Sequence, residues 1–137
     1  MIHFKIYNTI SELPRSWDAL PTHDIFLKTL FLEALDKSSP RNISSHYLCV
    51  FKGELLIGIA VLQHVQMYAD DIFRKTSNNR LKQIAKQLIA KIVRGNTIVV
   101  GNLMHTGQHG VFFLMEEITQ DSFLELVYKA IEELRNT

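Results

Sequence analysis

The stretch Tyr47-Leu48-Cys49-Val50-Phe51-Lys52-Gly53-Glu54-Leu55-Leu56-Ile57-Gly58-Ile59-Ala60-Val61-Leu62-Gln63-His64-Val65 decides the fold. Two runs of β-branched, aromatic and other apolar side chains flank Lys52-Gly53, with polar Glu54 next. A two-residue connection containing glycine between such runs signals a β-hairpin, because tight hairpin turns need backbone that glycine adopts freely. The spacing predicts strands over 47–51 and 55–65. Gly58 interrupts the second strand, which marks a bulge or a close approach to the backbone.

Working back toward the start, residues 3–7 alternate, with Phe4 and Ile6 on one side and Lys5 and Tyr7 on the other. That is the pattern of a strand with one buried face. Residues 11–20 read as a short helix or turn carrying Trp17, limited by Pro14 and Pro21. Asp24 is placed to cap a longer helix in which Phe26, Leu27, Leu30, Phe31, Ala34 and Leu35 recur at helical spacing. Ser38-Ser39-Pro40 stops it.

Toward the C-terminus, Leu81, Ile84, Ala85, Leu88, Ile89 and Ile92 form the apolar stripe of a helix over 78–93, closed by Gly95-Asn96. Residues 97–104 form a continuous β-branched and apolar run, read as a central strand covered on both faces. Residues 105–110 form a glycine-rich loop, and 111–114 a further short strand. A last helix begins near Thr119 and Asp121, with Phe123, Val127, Ala130, Ile131 and Leu134 as its core face and Glu125–Lys129 as an i,i+4 pair. The whole is one α/β (α+β) domain over 1–137, a mixed and mostly antiparallel sheet flanked by helices.

With 137 residues, the chain can bury roughly 65–70% of its unfolded surface, enough for a core without metals or disulfides. Fifteen basic and 14 acidic side chains leave a formal charge of +1, so no general attraction to nucleic acid is expected. The one cysteine, Cys49, excludes an internal disulfide and every CxxC zinc pattern, and within a strand it reads as a buried, inert thiol. No signal sequence and no spanning apolar run is apparent, which makes the cytoplasm the default.

Two segments are candidates for chemistry. Arg74, Lys75, Arg80, Lys82, Lys86, Lys91 and Arg94 lie in a stretch without acids. They read either as a solvated helix face or as a surface for a phosphate-bearing ligand, an anionic membrane or an acidic partner. The second is Gly101-Asn102-Leu103-Met104-His105-Thr106-Gly107-Gln108-His109-Gly110. Glycines let a ligand approach the backbone, and histidine acts as a base near neutral pH. The structural alternative is a tight turn that needs φ > 0 at Gly107 and Gly110. The glycine between His105 and His109, with no carboxylate near, argues against a zinc site. Asp70-Asp71 reads as a solvated or capping pair, and His3, His23, His46 and His64 as scattered singly.

Trp17-Asp18 with residues 25–32, the hairpin 47–58 and the run 101–113 together resemble the N-terminal part of bacterial GNAT-family N-acyltransferases, including relatives of the Fem-type peptidoglycan aminoacyltransferases. The resemblance implies a GNAT-like fold, possession of only part of it, and transfer of an acyl group from acyl-CoA (acetyl-CoA) to an amine, with no metal. It implies His105 or His109 as the base and Gly107, Gln108 and Gly110 as the backbone cradle for the cofactor. The family's Gln/Arg-x-x-Gly-x-Gly/Ala pyrophosphate loop is absent, and Glu116, Glu117 and Asp121 precede or open the last helix. The expectation is therefore the N-terminal half of a larger acyltransferase whose remainder follows Thr137, or a shortened descendant of one, with the sheet completed by that remainder or by a homo-oligomer such as a dimer. The alternative is a non-catalytic binding or assembly domain that kept the fold and lost the cofactor loop.

Overall fold

The computed structural model describes residues 1–67, 84, 95–103 and 110–137. Five strands form one sheet: β1 (Ile2–Tyr7), β2 (Ile43–Lys52), β3 (Leu55–Met67), β4 (Gly95–Val100) and β5 (Val111–Phe113). They lie in the order β1-β2-β3-β4, β5 also pairs β3, and every pairing is antiparallel. The helices α1 (Ser16–Ala19), α2 (Thr29–Ser38) and α3 (Gln120–Arg135) complete a mostly antiparallel α+β fold. The helix expected over 78–93 and its basic face lie outside the described residues, as does Asp70-Asp71. Only Ile84 of that helix is described, and it is helical and exposed.

The hairpin forms as its sequence requires, one residue further along than expected. Lys52 stays in the ladder opposite Leu55, so the two connecting residues are Gly53 and Glu54. Gly53 carries φ +62° and Glu54 does not have positive φ. A positive φ at the first position only is the sign pattern of a type II′ turn. The register shifts between Val50, opposite Gly58, and Phe51, opposite Leu56, which leaves Ile57 as the extra residue of a bulge. The bulge reverses the alternation of faces: Ile57 and Ile59 are two apart yet belong to opposite cores. Gly58 beside it is pressed against Phe123, since a Cβ there would lie 2.6 Å from the ring.

Both faces of β2 and β3 are covered, which is why their sequences run continuously apolar instead of alternating. One face packs Tyr47, Cys49, Ile59 and Val61 against Trp17, Leu20, Leu27 and Leu32. The other packs Leu48, Val50, Ile57, Ala60 and Leu62 against Ile118 and the α3 residues Phe123, Val127 and Ala130. Thr119 caps α3 through Ser122 N, and Lys129 pairs with Glu125 at 2.8 Å. The predicted core face of this helix is the observed one.

Two sequence expectations fail. The helix from Asp24 is not continuous. Asp24 caps only the single 3₁₀ turn Ile25–Leu27, and Lys28 is extended at ψ 141°. Helix α2 then starts afresh, its first turn held by the Asp18 carboxylate, which accepts from Thr29 N at 2.9 Å and from the Thr29 hydroxyl. The break resets the helical phase, so Leu32 is buried while Leu30 is 81% exposed. The strand expected over 97–104 likewise stops short, at Val100. Among the described residues β4 pairs on one side only, with β3, and ends at Val100; Thr97 and Val100 are exposed.

Candidate functional site

Strands β4 and β5 run along the same edge of β3, one after the other. Leu62 is opposite Val100 and Ala60 is opposite Val111. Val61, between them, divides its backbone bonds: Gly101 N donates to Val61 O at 2.7 Å, and Val61 N donates to Gly110 O at 2.8 Å. A single edge line is thus broken at one residue, between Gly101 and Gly110. The two glycines touch there. A Cβ on Gly110 would lie 2.2 Å from Gly101 Cα and 2.8 Å from Gly101 N. Only a glycine fits at 110, for reasons of space.

That corrects one expectation. The tight-turn alternative needs φ > 0 at Gly110, whereas at this break the positive φ falls on Gly101, at +114°. Gly107, Gln108, His105 and His109 lie outside the described residues. Gly110 is buried and serves the fold through its carbonyl and its lack of a side chain.

The chain just past Gly101 is tied to β3 by a residue the sequence reading passed over. Gln63 is the only polar residue in the buried set among the described residues. Its Oε1 accepts from Leu103 N at 2.8 Å, while its Nε2 meets no acceptor among the described residues. A buried amide half satisfied in this way is costly, and the bond it does make holds Leu103 to β3. A glutamine directly after the apolar run 55–62 was the signal available in the sequence.

Other polar groups meet across elements far apart in sequence. The Tyr47 hydroxyl, on the buried face of β2, donates to Asp36 Oδ2 of α2 at 2.6 Å. Burial first, then the hydrogen bond to Asp36 and its charge, push this phenol well above its ordinary range, against a smaller opposing effect of Ser45. Burial also pushes the Cys49 thiol up to about 12, weakly opposed by Lys5, so it carries no thiolate chemistry near neutral pH.

His46 and His64, read as isolated in the sequence, are diagonal neighbours on one sheet face: Ser44 is opposite His64, and His46 opposite Leu62. His46 Nδ1 lies 2.8 Å from Asn8 Oδ1. Burial, and then the neighbouring His64, lower the His46 pKa below 6.5. The folded state therefore binds this proton less readily than the unfolded chain, and stability is lost as the pH falls through 6.5 toward the folded value. His46→Gln is expected to flatten that loss; urea midpoints of both proteins above and below this window measure it.

At the entrance to α3, Glu117 is engaged by Lys52 at 2.9 Å, and Asp121 lies in the first turn beside the Thr119 cap. A helix start that is capped from within and carries a carboxylate repels a phosphate. Comparison with protein-family models, with curated proteins and with solved structures finds no match. Among the described residues, no group of three or more His, Cys, Asp or Glu is placed to hold a metal ion. No described helix is long and apolar enough to cross a membrane.

Proposed function

We propose that this chain is the loop-bearing half of an acyl-CoA-dependent N-acyltransferase, and that residues 102–109 are its working element. The observation that supports this most is the interrupted edge strand. Val61, Gly101, Gly110 and Gln63 fix both ends of a segment rich in glycine and histidine against the sheet. In the chemistry that the family resemblance implies, the acceptor nitrogen attacks the thioester carbonyl carbon, the C–S bond breaks and the thiolate leaves. His105 or His109 takes the ammonium proton, and backbone N–H groups from Gly107 to Gly110 stabilise the oxyanion. The pyrophosphate of the donor is held by residues beyond this chain, in a further segment or a second copy, because the start of α3 is unsuited to it.

A second reading is favoured by that same capped, acidic helix start: a binding or assembly domain with no donor of its own. Calorimetric titration of the 137-residue chain with acetyl-CoA is expected to show no micromolar binding. A dissociation constant near 1 μM (about −8 kcal/mol) would contradict the half-site account. Release of free thiol from acetyl-CoA by the product of the whole reading frame, in the presence of a primary amine, separates the acyltransferase from the binding domain.

A further inference from the structure

Between the 3₁₀ turn Ile10–Glu12 and helix α2 lies a groove of about 340 Å³, lined by Thr9, Ile10, Ser11, Glu33, Asp36 and Lys37. Its volume is at the lower end of the range for small-molecule sites. The charges that line it do not cancel evenly. Lys37 is held by Glu33 at 2.7 Å, both exposed. Asp36, half-buried, meets no cation among the described residues, and the neutral Tyr47 hydroxyl is its only side-chain partner. A partly desolvated carboxylate fixed by a neutral donor keeps its full charge uncompensated, and such a group favours a cation brought to it.

The rest of the lining narrows the kind of cation. The Thr9 and Ser11 hydroxyls lie 3.1 Å apart, and each oxygen retains acceptor capacity. One unpaired carboxylate with two hydroxyls supplies too few oxygens for a calcium ion, which takes six to eight. An alkylammonium has three N–H donors and a carbon stem, and it matches one carboxylate, two hydroxyls and the apolar Ile10. We propose that this groove binds a primary ammonium group on a short apolar stem. As an ammonium site it stands on the groove itself. As the seat of the acceptor amine it rests on the acyl-transfer reading above.

The test uses n-butylammonium chloride, with n-butanol as the uncharged control, at constant ionic strength. Backbone amide shifts of Thr9, Ser11 and Asp36 are followed by NMR. Butylammonium is expected to give saturable shifts in the millimolar range and butanol none. Asp36→Asn is expected to weaken binding about tenfold or more, because a charge-assisted bond is lost. Thr9→Val and Ser11→Ala, on the exposed turn, are expected to weaken it by smaller factors. Absence of saturation, equal shifts with butanol, or unchanged affinity in Asp36→Asn would overturn the proposal. Butylammonium binding by a full-length product that releases no thiol would remove the acyl-transfer reading and leave the groove. Thiol release whose amine KM ignores Asp36→Asn would keep the acyl-transfer reading and remove the groove as the acceptor's seat.

Discussion

Gly110→Ala is expected to destabilise the domain by about 3 kcal/mol, near the upper end of what overpacking costs. The methyl group would be placed 2.2 Å from Gly101 Cα and 2.8 Å from Gly101 N, and these are backbone atoms, which have no rotamer to escape into. Relief requires Gly101 or Gly110 to move, and each is hydrogen-bonded to Val61. Either movement loosens the break in the edge line at Val61. Gly53→Ala is the control. Its φ of +62° strains an alanine, but nothing lies within 4 Å, so only the left-handed penalty of roughly 1 kcal/mol applies. Urea unfolding of the two variants measures the difference; equal midpoints would mean that the glycines do not touch as described.

Trp17→Ala is expected to cost about 4 kcal/mol, within the range for deleting a buried large aromatic. Trp17 is 1% exposed, meets Tyr47 edge-on at 6.0 Å between ring centroids, and donates from Nε1 to Leu27 O at 2.7 Å. The substitution leaves a cavity and also a buried carbonyl without its donor. Trp17→Phe keeps most of the volume and loses the hydrogen bond, so a smaller loss, about 2 kcal/mol, is expected. Thermal unfolding followed by circular dichroism orders the two; near-identical midpoints would show that Trp17 does not hold α1 and the 3₁₀ turn to the sheet.

The contrast between these positions shows what a sequence carries. The hairpin was legible because its signals are local: Gly53 supplies the turn, and Gly58 stands next to the bulge at Ile57. Helix α3 was legible because its stripe, its cap at Thr119 and its Glu125–Lys129 pair all lie within one helix. The phase of α2 was not, because the residue that starts it, Asp18, is 11 positions from Thr29. Nothing in the spacing of Phe26, Leu30 and Phe31 reports a break at Lys28. The end of β4 at Val100 has no local signal for a related reason. An apolar run tells that a strand is sticky, while the number of neighbours it gains depends on where the chain returns.

For the candidate site, the glycine–histidine segment was visible as a cluster, and its anchoring was not. The sequence offers two readings of Gly110, a turn needing φ > 0 or room for a ligand beside the backbone. Its actual requirement, space against Gly101 nine positions away, has no local signature. Gln63, which holds Leu103, stands in an apolar strand and was visible only as an exception to it. Asp36 and Tyr47 meet between a helix and a strand, and His46 of β2 meets Asn8 in the bend that follows β1. Such pairs emerge from the register, and the register is set by the whole sheet.

The central functional claim is that the segment leaving at Gly101 and returning at Gly110 performs acyl transfer with one of its two histidines. Steady-state thiol release from acetyl-CoA by the product of the whole reading frame, with a primary amine as acceptor, tests it most directly. Replacing the histidine that acts as base is expected to lower kcat about 100-fold or more. Replacing the other is expected to leave kcat nearly unchanged, with both variants unfolding at the wild-type midpoint. Full activity in both His105→Ala and His109→Ala, or no thiol release by the wild-type protein with any primary amine, would contradict the account.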